Sequence, residues 1–149
     1  DNSTGQLVAS GRTDDINKLS LDLTSKNIKN IKLKVSAPFH CNLMSKATEL
    51  MKREIERLEF RNLKNPIISN VTANEIKDKS LLKNLLIKQI ESKVRWRESV
   101  SYMIDSGVDE FIEIGPGKVL SGLIKRIDRN VKISAINKEE DISMVKIND

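Results

Sequence analysis

Residues 108–136 constrain the fold most tightly. They read VDEFIEI, then GPG, then KVLSGLIKRIDR and, after Asn130, VKISAI. The first and last runs are short and rich in β-formers. The third repeats its apolar residues at helical spacing. The block therefore predicts a strand, a tight turn, a helix and a strand. Strands alternating with helices predict an α/β layer on a parallel sheet, with sites at the carboxyl ends of the strands. The glycines of GPG invite comparison with a phosphate-binding loop. The segment has neither the GK[ST] ending of such a loop nor the third glycine of a dinucleotide fingerprint, so it predicts a structural turn.

Upstream, a helix near 95–106 is expected to bury Trp96, Val100 and Met103, with Gly107 as its C′ residue. Ser80 can cap a helix over roughly 81–92. Leu82, Leu85 and Leu86 form its apolar face, and Gln89 falls on that same face. PIISN at 66–70 predicts a short strand and 71–74 a turn. The strongest amphipathic pattern is Met44, Ala47, Met51, Ile55 and Leu58, whose methionines read as core filler. Residues 6–10 predict a strand. Thr13 can cap a helix over roughly 14–25, with Asp14 and Asp15 in its first turn and Ile16, Leu19 and Leu23 as its stripe. Ile31, Leu33 and Val35 alternate with Lys32 and Lys34, a strand with one wet face. Residues 6–36 thus predict a strand–helix–strand unit. Residues 138–149 predict a charged, peripheral tail with room for a final short helix.

Composition narrows the function. With one Cys and one His in 149 residues, no internal disulfide can form and four protein ligands for zinc are not available. No segment reads as a signal peptide or membrane span, so the expectation is a soluble, cytoplasmic protein. The net charge of +5 would suit an acidic partner. Aromatics make up only 3%, which leaves no stacking platform for single-stranded nucleic acid, and no recognition motif is present. Lys118, Lys125 and Arg129 share one helix face, and Lys46, Arg53 and Arg57 another. Either face can dock an acidic protein, though solvated faces are the simpler reading. The chain opens on Asp1 instead of Met. An N-terminal portion is therefore expected to precede it, unless processing explains the start.

His40 follows a predicted strand end, in a loop that contains Pro38. Histidine is the usual general base near neutral pH, but position alone favours a structural histidine. The surrounding sequence decides otherwise. VSAPFHCNLM resembles the stretch around the catalytic histidine of malonyl-CoA:acyl carrier protein transacylases. DNSTGQLVASG, PIISNVTA and FIEIGPGKVLSGLIKRI resemble three further segments of that family, in the right order. KQIESKVRW resembles its Gln-containing helix and the Trp that follows. The resemblance runs from residue 1 to about 137.

The resemblance implies a fold and a chemistry. The fold is the C-terminal part of an α/β-hydrolase-like acyltransferase domain, with part of a small ferredoxin-like subdomain. Residues 1–36 would belong to the small subdomain, 37–137 to the large one and 138–149 to the tail. The chemistry is ping-pong transfer of a malonyl group from malonyl-CoA to the phosphopantetheine thiol of acyl carrier protein, in fatty acid biosynthesis. His40 would be the base in both half-reactions. A backbone carbonyl, here that of Gln89, would orient it in place of a triad aspartate. The competing role for Gln89 is an amide at the core edge bonded to backbone. Phe39 would crowd an α-methyl branch and favour malonyl over methylmalonyl; otherwise it packs the loop. Cys41 reads as buried filler, since dyad partners normally come from different elements. No metal or prosthetic group is implied, and CoA enters only as substrate carrier. The partners would be acyl carrier protein and malonyl-CoA, with no nucleic acid and no membrane.

No G-x-S-x-G occurs in these residues, so the serine nucleophile is missing, as are the family's oxyanion-hole glutamine and malonyl-binding arginine. A chain with the base and no nucleophile is expected to be inactive alone. Two alternatives stand beside this: a fragment of a polyketide synthase acyltransferase domain, and a non-catalytic remnant that binds carrier protein.

Overall fold

A computed structural model of the chain describes residues 1–144. Residues 145–149 of the predicted tail lie outside the described residues. The chain divides into two compact units, one formed by residues 1–7 with 95 onward and one by residues 8–94.

The first unit is built on the βαβ block. Strand β3 (Glu110–Ile114) pairs in parallel with β4 (Lys132–Ile136), Phe111 opposite Ile133 and Ile114 opposite Ile136, and helix α5 (Val119–Ile127) connects them. Helix α4 (Trp96–Asp105) precedes them. Val100, Ile124 and Val131 form the core, with Trp96, Met103, Phe111 and Ile133 packed around it. Alternation along β3 sends Phe111 to this core and leaves Ile112 and Ile114 on the opposite face, where both are exposed. Gly107 ends α4 as expected. At φ +96° it closes a Schellman turn, in which the amides of Gly107 and Val108 donate to the carbonyls of Ile104 and Met103. The 3₁₀ turn Glu139–Met144 occupies the start of the predicted tail.

The GPG segment is a structural turn. Gly115 and Gly117 both have positive φ, and their amides donate to the Ile136 carbonyl and to Asn137 Oδ1. Helix α5 starts without help from its N-cap residue, Lys118. Glu113 on β3 replaces the cap: its carboxylate accepts from the Leu120 amide at 3.1 Å, the Ser121 amide at 2.8 Å and the Ser121 hydroxyl. These are the orphan donors of a helix start. The Ser121 hydroxyl, then its amide, hold the Glu113 carboxyl below its ordinary value of 4.5.

The second unit contains α1 (Thr13–Ser25), α2 (Ser45–Arg57), a hairpin of β1 (Ile67–Ile68) and β2 (Glu75–Ile76), and α3 (Leu82–Lys88). The 3₁₀ turns Asn42–Met44 and Lys79–Leu81 lead into α2 and α3. Helix α2 packs on α3, and Lys83 Nζ donates to the Glu56 carbonyl near the end of α2.

Several expectations need correction. Residues 6–10 form no strand; the nearest pairing is an isolated Ser3–Gln6 bridge. Residues 31–35 form none either, and Ile31, Leu33 and Val35 are exposed. An alternating pattern becomes a strand only when a neighbour takes its amides and carbonyls, and none does so here among the described residues. The predicted strand–helix–strand unit is thus reduced to α1. Thr13 lies inside α1, and Arg12 occupies the N-cap position without a side-chain bond. No residue of α1 is fully buried. In α2 only Ile55 is, while Met51, and Leu58 just past the helix end, are exposed. Asp78, not Ser80, caps the turn before α3: its carboxylate accepts from the Ser80 amide and hydroxyl. The helix expected to reach 92 stops at Lys88.

Candidate functional site

The second unit brings His40 and Gln89 together. His40 sits between the Pro38 loop and the 3₁₀ turn into α2, at φ +62°, a left-handed conformation uncommon for any residue but glycine. Such backbone strain costs on the order of 1 kcal/mol or more and tends to gather at functional positions. Cys41 braces the loop. Its thiol donates to the Pro38 carbonyl at 3.1 Å, and it is only partly buried, a correction to the filler reading.

His40 Nδ1 lies 3.0 Å from the backbone carbonyl of Gln89. A carbonyl only accepts, so Nδ1 is the donor, and in the neutral ring this tautomer leaves the lone pair on Nε2. The carbonyl is free for this role because Gln89 is the C-cap of α3, where the helical ladder runs out. The next three amides turn back to Ile87 and Lys88 and leave the Gln89 oxygen alone. Its side chain bonds neither to His40 nor to backbone: Gln89 Oε1 accepts from Asn70 Nδ2 at 3.2 Å. Gln89 also lines a cavity of about 60 Å³ with Ile68, Asn70, Ile76, Leu82 and Leu85, which accounts for an amide on an apolar face.

The remaining candidates do not converge on this pair by any hydrogen bond. Phe39 is 48% exposed, so it does not pack the loop as a buried ring would. Lys125 is engaged at the end of its own helix, where Nζ donates to the carbonyls of Arg129 and Val131. Arg57 pairs with Glu54. Asn70 is the contact that sequence reasoning missed. An Asn after a short strand reads as a turn former, and only its place in the PIISNVTA segment set it apart.

Among the described residues no three potential ligands cluster to hold a metal, and no helix is long and apolar enough to cross a membrane.

No family model matches the chain. The malonyl CoA-acyl carrier protein transacylase of Staphylococcus aureus strain COL is 43% identical over 149 residues, 99% of this chain and 48% of the relative. The crystal structure of an acyl carrier protein S-malonyltransferase from Vibrio cholerae superposes with a TM-score of 0.83 at 36% identity, covering 91% of this chain and 45% of that one. A malonyl-transacylase solved in complex with a type II polyketide acyl carrier protein gives a TM-score of 0.83 at 30% identity, over 90% of this chain and 44% of that one. The chain spans about half the length of the curated relatives it matches. The fold is the α/β fold of the acyltransferases on which the chain superposes. Over the half that it spans, its sequence and fold are similar to those of malonyl CoA-acyl carrier protein transacylases.

Proposed function

We propose that this chain is the histidine-bearing, C-terminal half of a malonyl-CoA:acyl carrier protein transacylase of fatty acid synthesis. Residues 1–36 would contribute to its small subdomain and 37–137 to its large one. The carrying observation is the 3.0 Å bond from His40 Nδ1 to the Gln89 carbonyl, which leaves Nε2 as the acceptor a general base needs.

In this reading a serine outside these residues gives its proton to His40 Nε2 as its oxygen attacks the malonyl thioester. The C–S bond breaks, the CoA thiolate leaves, and the imidazolium returns the proton to it. The phosphopantetheine thiol of acyl carrier protein then gives its proton to Nε2 and attacks the malonyl ester, and the serine oxygen leaves with that proton. A neutral carbonyl partner orients the imidazole without adding a second full charge to the site. Phe39 beside His40 would crowd a branched acyl group, and the cytoplasm is the expected compartment. With no G-x-S-x-G in its sequence, the chain alone is expected to form no acyl-enzyme.

The test is intact-protein mass spectrometry after mixing with malonyl-CoA, on the chain alone and on the chain completed with a transacylase N-terminal half. A malonyl adduct only in the completed protein, with turnover lost in His40→Ala, supports the proposal. A folded, completed protein that takes up no malonyl group overturns it.

A further inference from the structure

We propose that Asn70 is a positioning residue for His40, acting through Gln89. This rests on the reading of His40 as the base. Gln89 is the C-cap of a seven-residue helix, and helix ends fray. A carbonyl at a fraying end is a poor anchor for a hydrogen bond that must hold one tautomer. The side-chain amide of Asn70 ties that end down, 3.2 Å from Gln89 Oε1.

Asn70 is itself fixed in the tight β1–β2 loop. The Ser69 amide donates to the Asn74 carbonyl, the Ala73 amide to the Ser69 carbonyl, and the Val71 amide to the Ser69 hydroxyl. Ala73 is 4% exposed and held at φ +56°. A rigid hairpin loop, the Asn70 amide, the Gln89 amide, the Gln89 carbonyl and His40 Nδ1 thus form one continuous chain of contacts. An amide pair that only closed the small cavity beside α3 would affect stability and leave the imidazole unchanged.

His40 is the only histidine, so its ring nitrogens can be read by ¹⁵N–¹H correlation spectroscopy of this chain without assignment. In spectra recorded at alkaline pH, the wild type should show a protonated Nδ1 and a well-separated, unprotonated Nε2. In Asn70→Ala the two ¹⁵N resonances should move toward each other as tautomers average. Gln89→Met keeps the backbone carbonyl and loses the side-chain amide, and it should do the same. Asn70→Asp should keep the wild-type separation, because the Gln89 amide can turn over and donate Nε2–H to the carboxylate.

A folded Asn70→Ala with wild-type separation overturns the proposal, as does an Asn70→Asp that behaves like Asn70→Ala. If Asn70→Ala does not fold, Gln89→Met decides, and unchanged resonances there overturn it. An averaged ring in the wild type itself would instead remove the His40–Gln89 bond, and with it the observation that carries the proposed function.

Discussion

His40 is held by two features of different origin, its left-handed backbone and its bond to the end of α3. The two can be separated by substitution. Asparagine tolerates the left-handed region well, so His40→Asn should fold with little loss of stability while removing the proposed base. In the completed enzyme, malonyl transfer is expected to fall by about 10²–10⁴-fold, with unchanged circular dichroism. Equal rates in wild type and His40→Asn would show that the proton goes elsewhere. The sequence made His40 legible because the residue is unique and its flanks are family-like. Gln89 was legible as a polar residue on an apolar face. Asn70 was not, since its contact lies 19 positions away and turn chemistry is reason enough for an Asn there.

At the scale of elements, helix ends decide more than helix middles. Gly107 at φ +96° and Gly122 inside α5 are both glycines beside which an added Cβ meets nothing within 4 Å. Sterics therefore cancel and backbone conformation alone sets the sign. Gly107→Ala should cost about 1–2 kcal/mol. Gly122→Ala should stabilise by about 0.5–1 kcal/mol, and denaturant midpoints measure both. The Glu113 cap adds a pH dependence. Its carboxyl is held below its ordinary value, chiefly by the Ser121 hydroxyl and amide. The folded state therefore binds that proton more weakly than the unfolded chain, and the stabilisation is fully present above the ordinary 4.5. It is lost as pH falls through the lower folded value. Glu113→Gln should lower the melting temperature at neutral pH and lose less further stability on acidification than the wild type. Parallel acid melts of the two would check this, and identical slopes would show that the cap is not ionised. The Gly107 stop was readable, because a Gly after an amphipathic run is local information. The Glu113 cap was not, because it comes from the preceding strand across the GPG turn.

At the scale of the molecule, the exposed apolar side chains carry the argument. A parallel sheet is normally covered on both faces. The β3–β4 pair has α4 and α5 side chains on one face, while Ile114 on the other is 79% exposed, with Ile112 beside it. The sequence predicted the parallel pair correctly, since its helix–strand alternation is local. It predicted strands at 6–10 and 31–35 wrongly, because alternation specifies a face to bury without supplying the neighbour that pairs with it. Those runs keep Leu7 exposed in the first unit, and Val8, Ile31, Leu33 and Val35 exposed in the second. Contiguous apolar surface and unpaired strand edges drive self-association. The isolated chain should accordingly associate with rising concentration and bind a hydrophobic dye. Ile114→Lys should reduce both effects while changing unfolding free energy by no more than about 0.5 kcal/mol, since the side chain is exposed in the monomer. Sedimentation velocity over a concentration series reads the first effect and a denaturation midpoint the second. A chain that stays monomeric at high concentration, or an Ile114→Lys variant that unfolds, would show that this face is already covered or supports the core.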